Sequence, residues 1–174
     1  KANVDAEDED KKTPLHYAVK NGYLDIVKYL VENKANVNAE DEDNKTSLHY
    51  AVKNGYLDIV KYLVENKANV DAEDEDKKTP LHYAVKNGNL DIVKYLVENK
   101  ANVDAEDEDK KTPLHYAVKN GYLDIVKYLV ENKANVNAED ENKKTPLQIA
   151  ESKVFPVKEI INYLKKAMEM PNNI

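Results

Sequence analysis

The chain has no cysteine, arginine or tryptophan, and only one phenylalanine and four glycines in 174 residues. Without cysteine there can be no disulfide, thiolate nucleophile or cysteine-based zinc site. All 26 basic residues are lysine and the formal net charge is −7. Arginine is the side chain best suited to bidentate phosphate recognition, so both facts argue against nucleic-acid binding. No apolar run approaches the ~18–20 residues of a membrane-crossing helix, and no basic-then-apolar signal segment appears. The remainder, 41% hydrophobic and 34% charged, suits a water-soluble chain with one continuous core. No membrane partner is expected. The expected location is cytoplasmic or otherwise intracellular, and the sequence does not decide whether the chain is secreted into a host cell.

What is present is a repeat. The stretch Asp8–Glu40 recurs letter for letter as Asp107–Glu139, a period of 33 residues. Block 41–73 departs from it at Asn44, Ser47 and Asp71, and block 74–106 at Asn89 and Asp104. A fixed period of this length marks units too small to bury their own apolar faces, which stack on one another instead. Within each unit Thr13-Pro14 opens a first helix, since Thr can cap free N–H groups and Pro fits the first turn. Leu15, Ala18 and Val19 form one apolar stripe. Gly22 breaks the pattern, and Leu24, Ile26, Val27, Leu30 and Val31 predict a second, more apolar helix. Glu40–Asp43, before the next Thr46, reads as an exposed turn.

Thr13-Pro-Leu-His-Tyr-Ala18 recurs at residues 79–84 and 112–117, and with Ser47 for Pro at 46–51. With the Asn-Gly that follows and the Ile-Val-x-x-Leu-Val helix, these residues resemble the ankyrin-repeat family over essentially the whole chain. The resemblance implies an all-α solenoid of stacked helix-turn-helix units joined by β-turn loops, binding other proteins through its turn tips and the exposed face of its first helices. It divides 1–174, as a single domain, into the end of a preceding repeat (1–7), four near-identical repeats (8–40, 41–73, 74–106, 107–139), a divergent C-terminal capping repeat (140–170) and a tail (171–174). Two glycines common in the family are missing. Lys11, Asn44, Lys77, Lys110 and Lys143 stand at the turn, and Lys34, Lys67, Lys100 and Lys133 after the second helix. If those backbones are left-handed, each non-glycine residue costs roughly 1–2 kcal/mol.

The last unit changes. Gln148 replaces His, Val154-Phe155-Pro156 takes the place of the Asn-Gly turn, and Ile160, Ile161 and Leu164 keep an apolar stripe. Lys158, Lys165 and Lys166 charge that helix, as suits a cap. The segment 171–174 is expected to fray. No matching N-terminal cap exists, which leaves open self-association through an uncovered apolar face.

Candidate chemistry is sparse. The histidines His16, His49, His82 and His115 recur once per unit and are expected to hydrogen-bond near the Thr at the helix start. Every potential catalytic triplet is copied in every repeat, whereas catalysis needs one asymmetric pocket, so no enzyme and no cofactor is expected. The acidic runs, Glu-Asp-Glu-Asp in four copies and Glu139-Asp140-Glu141-Asn142 in the fifth, hold 19 of the 33 acidic residues. They lack the ligand spacing and glycine of a calcium loop. At solenoid tips they would form a negative ridge that steers a basic protein segment, or they would merely pair with the lysines that follow. The expected protein-binding residues are Glu9, Asp10 and Lys12, then Glu42, Asp43 and Lys45, Glu75, Asp76 and Lys78, and Glu108, Asp109 and Lys111. With them go the first-helix pairs Lys20 and Asn21, Lys53 and Asn54, Lys86 and Asn87, and Lys119 and Asn120. Most tyrosines are expected between repeats with their hydroxyls reaching solvent, and Asn89, alone among Tyr23, Tyr56 and Tyr122, marks an exposed, dispensable position. A non-enzymatic protein-interaction module is the leading function, and a structural spacer or engineered scaffold without a dedicated partner is the alternative.

Overall fold

The computed structural model describes residues 3–153 and 157–170. The expected turn at Val154–Pro156 and the tail 171–174 lie outside the described residues. Ten helices follow in pairs: α1 (Pro14–Lys20) and α2 (Leu24–Glu32), α3 (Ser47–Lys53) and α4 (Leu57–Glu65), α5 (Pro80–Lys86) and α6 (Leu90–Glu98), α7 (Pro113–Asn120) and α8 (Leu123–Glu131), and α9 (Pro146–Glu151) and α10 (Lys158–Met168) among the described residues. Each first helix packs on its own second helix and on the next first helix, and the second helices form a parallel file behind them. No strand occurs among the described residues.

Helices of six to eleven residues are too short to persist alone in water, so packing must hold them. Leu48, Val52, Ile59, Val60 and Leu63 are fully buried, as are Leu81, Ile92, Leu96, Leu114, Ile125 and Leu129 in the same register. Burying each such side chain contributes about 1.5–3 kcal/mol. In the last pair Ile160 and Leu164 are fully buried and Ile161 partly, as the apolar stripe implied. Lys158 corrects one expectation: it begins α10, where the helix dipole disfavours a cation, while Lys165 and Lys166 occupy the last turn.

Both helices of a unit end in the same way. At α1 the Gly22 N–H donates to Val19 and the Tyr23 N–H to Ala18; at α2 the Lys34 N–H donates to Val31 and the Ala35 N–H to Leu30. This ending needs a left-handed residue at Gly22 and Lys34. All nine lysine and asparagine positions that stand in for family glycines have positive φ, from 56° to 72°, and all are exposed. Glycine survives at 22 for a second reason. A Cβ there would lie 3.0 Å from the Tyr56 ring, and one at Gly88 would lie 2.8 Å from Tyr122, whereas at Gly55 the nearest neighbour is the Asn89 amide at 3.6 Å.

Two stability measurements follow from these contacts. Gly55→Ala bears backbone strain alone, about 1–2 kcal/mol, while Gly88→Ala adds ring crowding of about 1–3 kcal/mol; equal urea midpoints for the two would refute the ring contact. Lys67→Gly, Lys100→Gly and Lys133→Gly relieve strain against a smaller entropic loss, so each should stabilise by about 0.5–1 kcal/mol, and a fall in midpoint would show that the strain is absent.

Candidate functional site: the turn tips and the first-helix face

Each acidic run divides by position. The second residue, an aspartate, folds inward: Asp41, Asp74, Asp107 and Asp140 are 2–5% exposed. Asp41 Oδ1 accepts the backbone N–H groups of Asp43 and Lys45, at 3.0 and 2.9 Å, and Oδ2 accepts the Tyr50 hydroxyl. Burial pushes the Asp41 carboxyl up, but the Tyr50 hydroxyl and the two N–H groups outweigh it, leaving the pKa below the ordinary carboxylate value. Tyr83 and Tyr116 donate in the same way to Asp74 and Asp107. These hydroxyls are therefore committed to a buried carboxylate in the same unit, where the sequence reading left them to solvent.

The fourth residue of the run, again aspartate, pairs locally. Asp10 meets Lys12 at 2.9 Å, Asp43 meets Lys45 at 3.0 Å, Asp76 meets Lys78 at 2.7 Å and Asp109 meets Lys111 at 2.6 Å. These lysine side chains are only 17–25% exposed, so Lys12, Lys45, Lys78 and Lys111 lie back against the turn. Charge projects from the glutamates instead. All ten, at 7, 9, 40, 42, 73, 75, 106, 108, 139 and 141, are exposed, including Glu9, Glu42, Glu75 and Glu108 of the expected site. Successive tips are tied through the backbone, with the Glu42 N–H donating to Asp10, Glu75 to Asp43, Glu108 to Asp76 and Glu141 to Asp109, at 2.9–3.0 Å. The glutamates thus stand in a fixed row.

Beside them runs a second row. Lys20, Lys53, Lys86 and Lys119 are exposed at the ends of the first helices. The neighbouring asparagines are partly committed: the side-chain amides of Asn54, Asn87 and Asn120 donate to the backbone carbonyls of Lys20, Lys53 and Lys86 in the preceding unit, at 2.9–3.2 Å. Asn21 has no such carbonyl before it and turns to Tyr17 of its own helix. Between the rows lies a shallow recess lined by Lys12, Lys20, Asp43, Lys45, Tyr50 and Lys53.

The histidines lie behind this surface. The Thr13 backbone N–H donates to His16 Nδ1 at 3.0 Å, which places the imidazole proton on Nε2, and Nε2 donates to the Lys45 carbonyl of the next unit at 3.1 Å. His49, His82 and His115 repeat both bonds. The expectation of a histidine bonded at the helix start holds, and the bond onward to the next unit is additional. Gln148 has no following unit to join and keeps only the first function, with Oε1 accepting the Thr145 N–H at 2.9 Å. No cluster of metal-binding side chains occurs among the described residues.

Asn89 is not the dispensable position that sequence suggested. Its side chain accepts the Ile92 N–H at 3.1 Å, capping α6, in exchange for the ring that Tyr56 and Tyr122 lay over a glycine.

A regular file of helix pairs repeating every 33 residues and joined by turn tips defines a repeat protein of the ankyrin type. The family model for ankyrin repeats, in three copies, matches residues 1–74, 67–140 and 101–173, and the chain belongs to the ankyrin-repeat family. No curated protein matches the chain. Proteins of this family generally serve protein–protein interaction and are typically not enzymes. No helix among the described residues is long and apolar enough to cross a membrane.

The buried imidazoles make the fold acid-sensitive. Burial lowers the pKa of all four, against a smaller upward pull from the carbonyl each one bonds. The folded state therefore holds histidine neutral while the unfolded chain titrates near ~6.5. Stability from these groups is complete above that pH and is lost as pH falls from it through the folded value. The urea midpoint should drop between about pH 7 and 5, and the fourfold His→Gln variant at 16, 49, 82 and 115, patterned on Gln148, should flatten that drop. An equal drop in the variant would assign the effect elsewhere.

Proposed function

We propose that the chain is a non-enzymatic protein-binding module that engages its partner along the glutamate row and the adjoining lysine row. The observation that carries this reading is the division of labour within the acidic runs. Their aspartates are consumed by the turn and by lysine, while the glutamates stay exposed at every tip, and among the described residues Glu139 alone of them meets a lysine, Lys143 at 3.7 Å. A fixed row of like charge attracts and orients an oppositely charged surface. The complementary partner is a protein with a basic stripe over the tips, and an acidic border over Lys20, Lys53, Lys86 and Lys119. The module is taken as one domain working inside a cell. The twenty residues expected to bind then divide into direct contacts, Glu9, Glu42, Glu75, Glu108 and the four first-helix lysines, and residues that shape the surface, namely the paired aspartates, their lysines and the asparagines.

The test changes the ten tip glutamates to glutamine and leaves every aspartate, so the turns stay intact. Capture from a cell extract is run at about 0.05 and about 0.5 M salt. Basic proteins should be retained by the native chain at low salt, released at high salt, and weakened on the order of tenfold by the glutamine variant. Identical recovery on both proteins would transfer the chain to the spacer reading.

A further inference from the structure

We propose that Asn54 is a self-modification site, kept intact by the stacked state and converted to aspartate or isoaspartate when its unit opens, and that Asn89 sets its rate. All four glycines of the chain follow an asparagine. The fold imposes the pairing, since each glycine takes the left-handed position that ends a first helix, with φ of 70–77°. An Asn-Gly bond is chemically fragile because glycine has no side chain to shield its nitrogen. That nitrogen attacks the asparagine Cγ and gives up its proton, and the carboxamide nitrogen leaves with the proton as ammonia. Water then opens the succinimide at either carbonyl, giving aspartate or isoaspartate. No other reactant is needed.

The stacked state blocks the first step in three ways. The attacking nitrogen is engaged: the Gly55 N–H donates to Val52 at 3.1 Å and the Gly88 N–H to Val85 at 3.0 Å. The side chain under attack is held as well, with the Asn54 and Asn87 amides donating to the Lys20 and Lys53 carbonyls of the preceding unit at 3.1 and 2.9 Å. Asn120 and Gly121 repeat both bonds. Backbone geometry is the third obstacle. Ring closure must bring the glycine nitrogen round to the side of the asparagine Cβ, whereas ψ of −4° at Asn54 and −7° at Asn87 eclipses it with the asparagine's own nitrogen. Attack therefore requires the helix end to unwind in a local opening.

What separates Asn54 from Asn87 is the residue that the next unit lays over the glycine. Unwinding moves that glycine. At Gly88 the Tyr122 ring lies so close that a Cβ would come within 2.8 Å of it, and Tyr56 covers Gly22 in the same manner at 3.0 Å. Over Gly55 stands Asn89, whose amide nitrogen is the nearest atom at 3.6 Å and whose oxygen is turned to the Ile92 N–H. No ring seats the Asn54–Gly55 turn. Conversion also reinforces itself. A carboxylate at residue 54 replaces the donor that faced the Lys20 carbonyl and leaves two acceptors opposed, and isoaspartate lengthens the backbone at the helix end. Asn89 thus turns one copy of a repeated structural amide into a covalent record of how often its unit opens.

The intact chain is incubated at mildly alkaline pH, folded and in urea. Cleavage after glutamate leaves Asn54 on a peptide marked by Ser47 and Asn87 on one marked by residue 89, so mass spectrometry reads each separately. In urea the two sites should convert at nearly the same rate. In the folded chain both should slow by at least about tenfold, with Asn54 several-fold faster than Asn87. Asn89→Phe, which restores a ring over Gly55, should bring Asn54 down to the Asn87 rate and leave Asn87 unchanged. The converse change, Tyr122→Asn, should raise Asn87 to the Asn54 rate. Equal rates in the folded and unfolded chain, Asn54 no faster than Asn87 when folded, equal slowing of both sites by Asn89→Phe, or no increase at Asn87 in Tyr122→Asn would each overturn the proposal.

Discussion

A neutral imidazole bridging two units is the interaction on which the stack depends. His16 Nδ1 satisfies the backbone N–H of Thr13 at the start of its own helix, and Nε2 satisfies a carbonyl in the following turn. One side chain thereby fixes a helix start and the position of the next unit. Both bonds require the same tautomer, so the ring has no freedom to serve as a base, a nucleophile or a metal ligand without releasing a buried partner. The repeated histidine, the most chemistry-bearing residue in the motif, is structural for this reason. Around it the other hydrogen bonds between units join backbone or side-chain amides to carbonyls, carboxamides or part-exposed carboxylates, as where the Asn69 N–H donates to Asn38 Oδ1 and the Asn102 N–H to Asp71. None needs an isolated charge in the core, and every buried side-chain nitrogen and oxygen among the described residues is partnered.

The few differences among the blocks follow from the same geometry. Asp71 and Asp104 replace Asn38 because the following unit needs only an acceptor oxygen there; the Asn102 and Asn135 N–H groups bond their carboxylates at 2.8 Å. Asn44 replaces lysine at φ 58°, a conformation asparagine adopts more readily than most residues. Asn89 exchanges a ring contact for a helix cap. Ser47 begins α3 without proline, yet α3 has the same seven-residue span as α1 and α5, because the Thr46–His49 pairing and the buried Leu48 remain in place.

Most of the architecture was legible because periodicity states it directly: the helix pairs and the buried stripes could be read from letters and spacing, while the nine left-handed positions came from the resemblance to a family that favours glycine there. The interior of the acidic run could not. Glu-Asp-Glu-Asp looks uniform as charge, but aspartate is one methylene shorter and can fold back onto its own turn, while glutamate reaches outward. Length, and not charge, decides which carboxylate is buried. The tyrosine hydroxyls were misread for the same reason, since their partner was assumed to be on the surface. Asn89 was misread because a substitution was taken as evidence of indifference when it was an exchange of one stabilising contact for another.

Translational repetition also constrains where specificity can reside. Each interior unit offers the same two glutamates and the same lysine, so under the proposed reading contacts would add up along the row without distinguishing one position from another, and affinity would grow with the number of units engaged, as for any multivalent surface. Discrimination needs something that occurs once. Among the described residues the α9–α10 pair is the unit that departs furthest from the others, with Gln148 in the place of the repeated histidine and Glu151 paired with Lys165. A molecule built by copying one unit thus carries a graded electrostatic surface along its length and a single divergent unit, and copying alone leaves few positions at which one partner could be told from another.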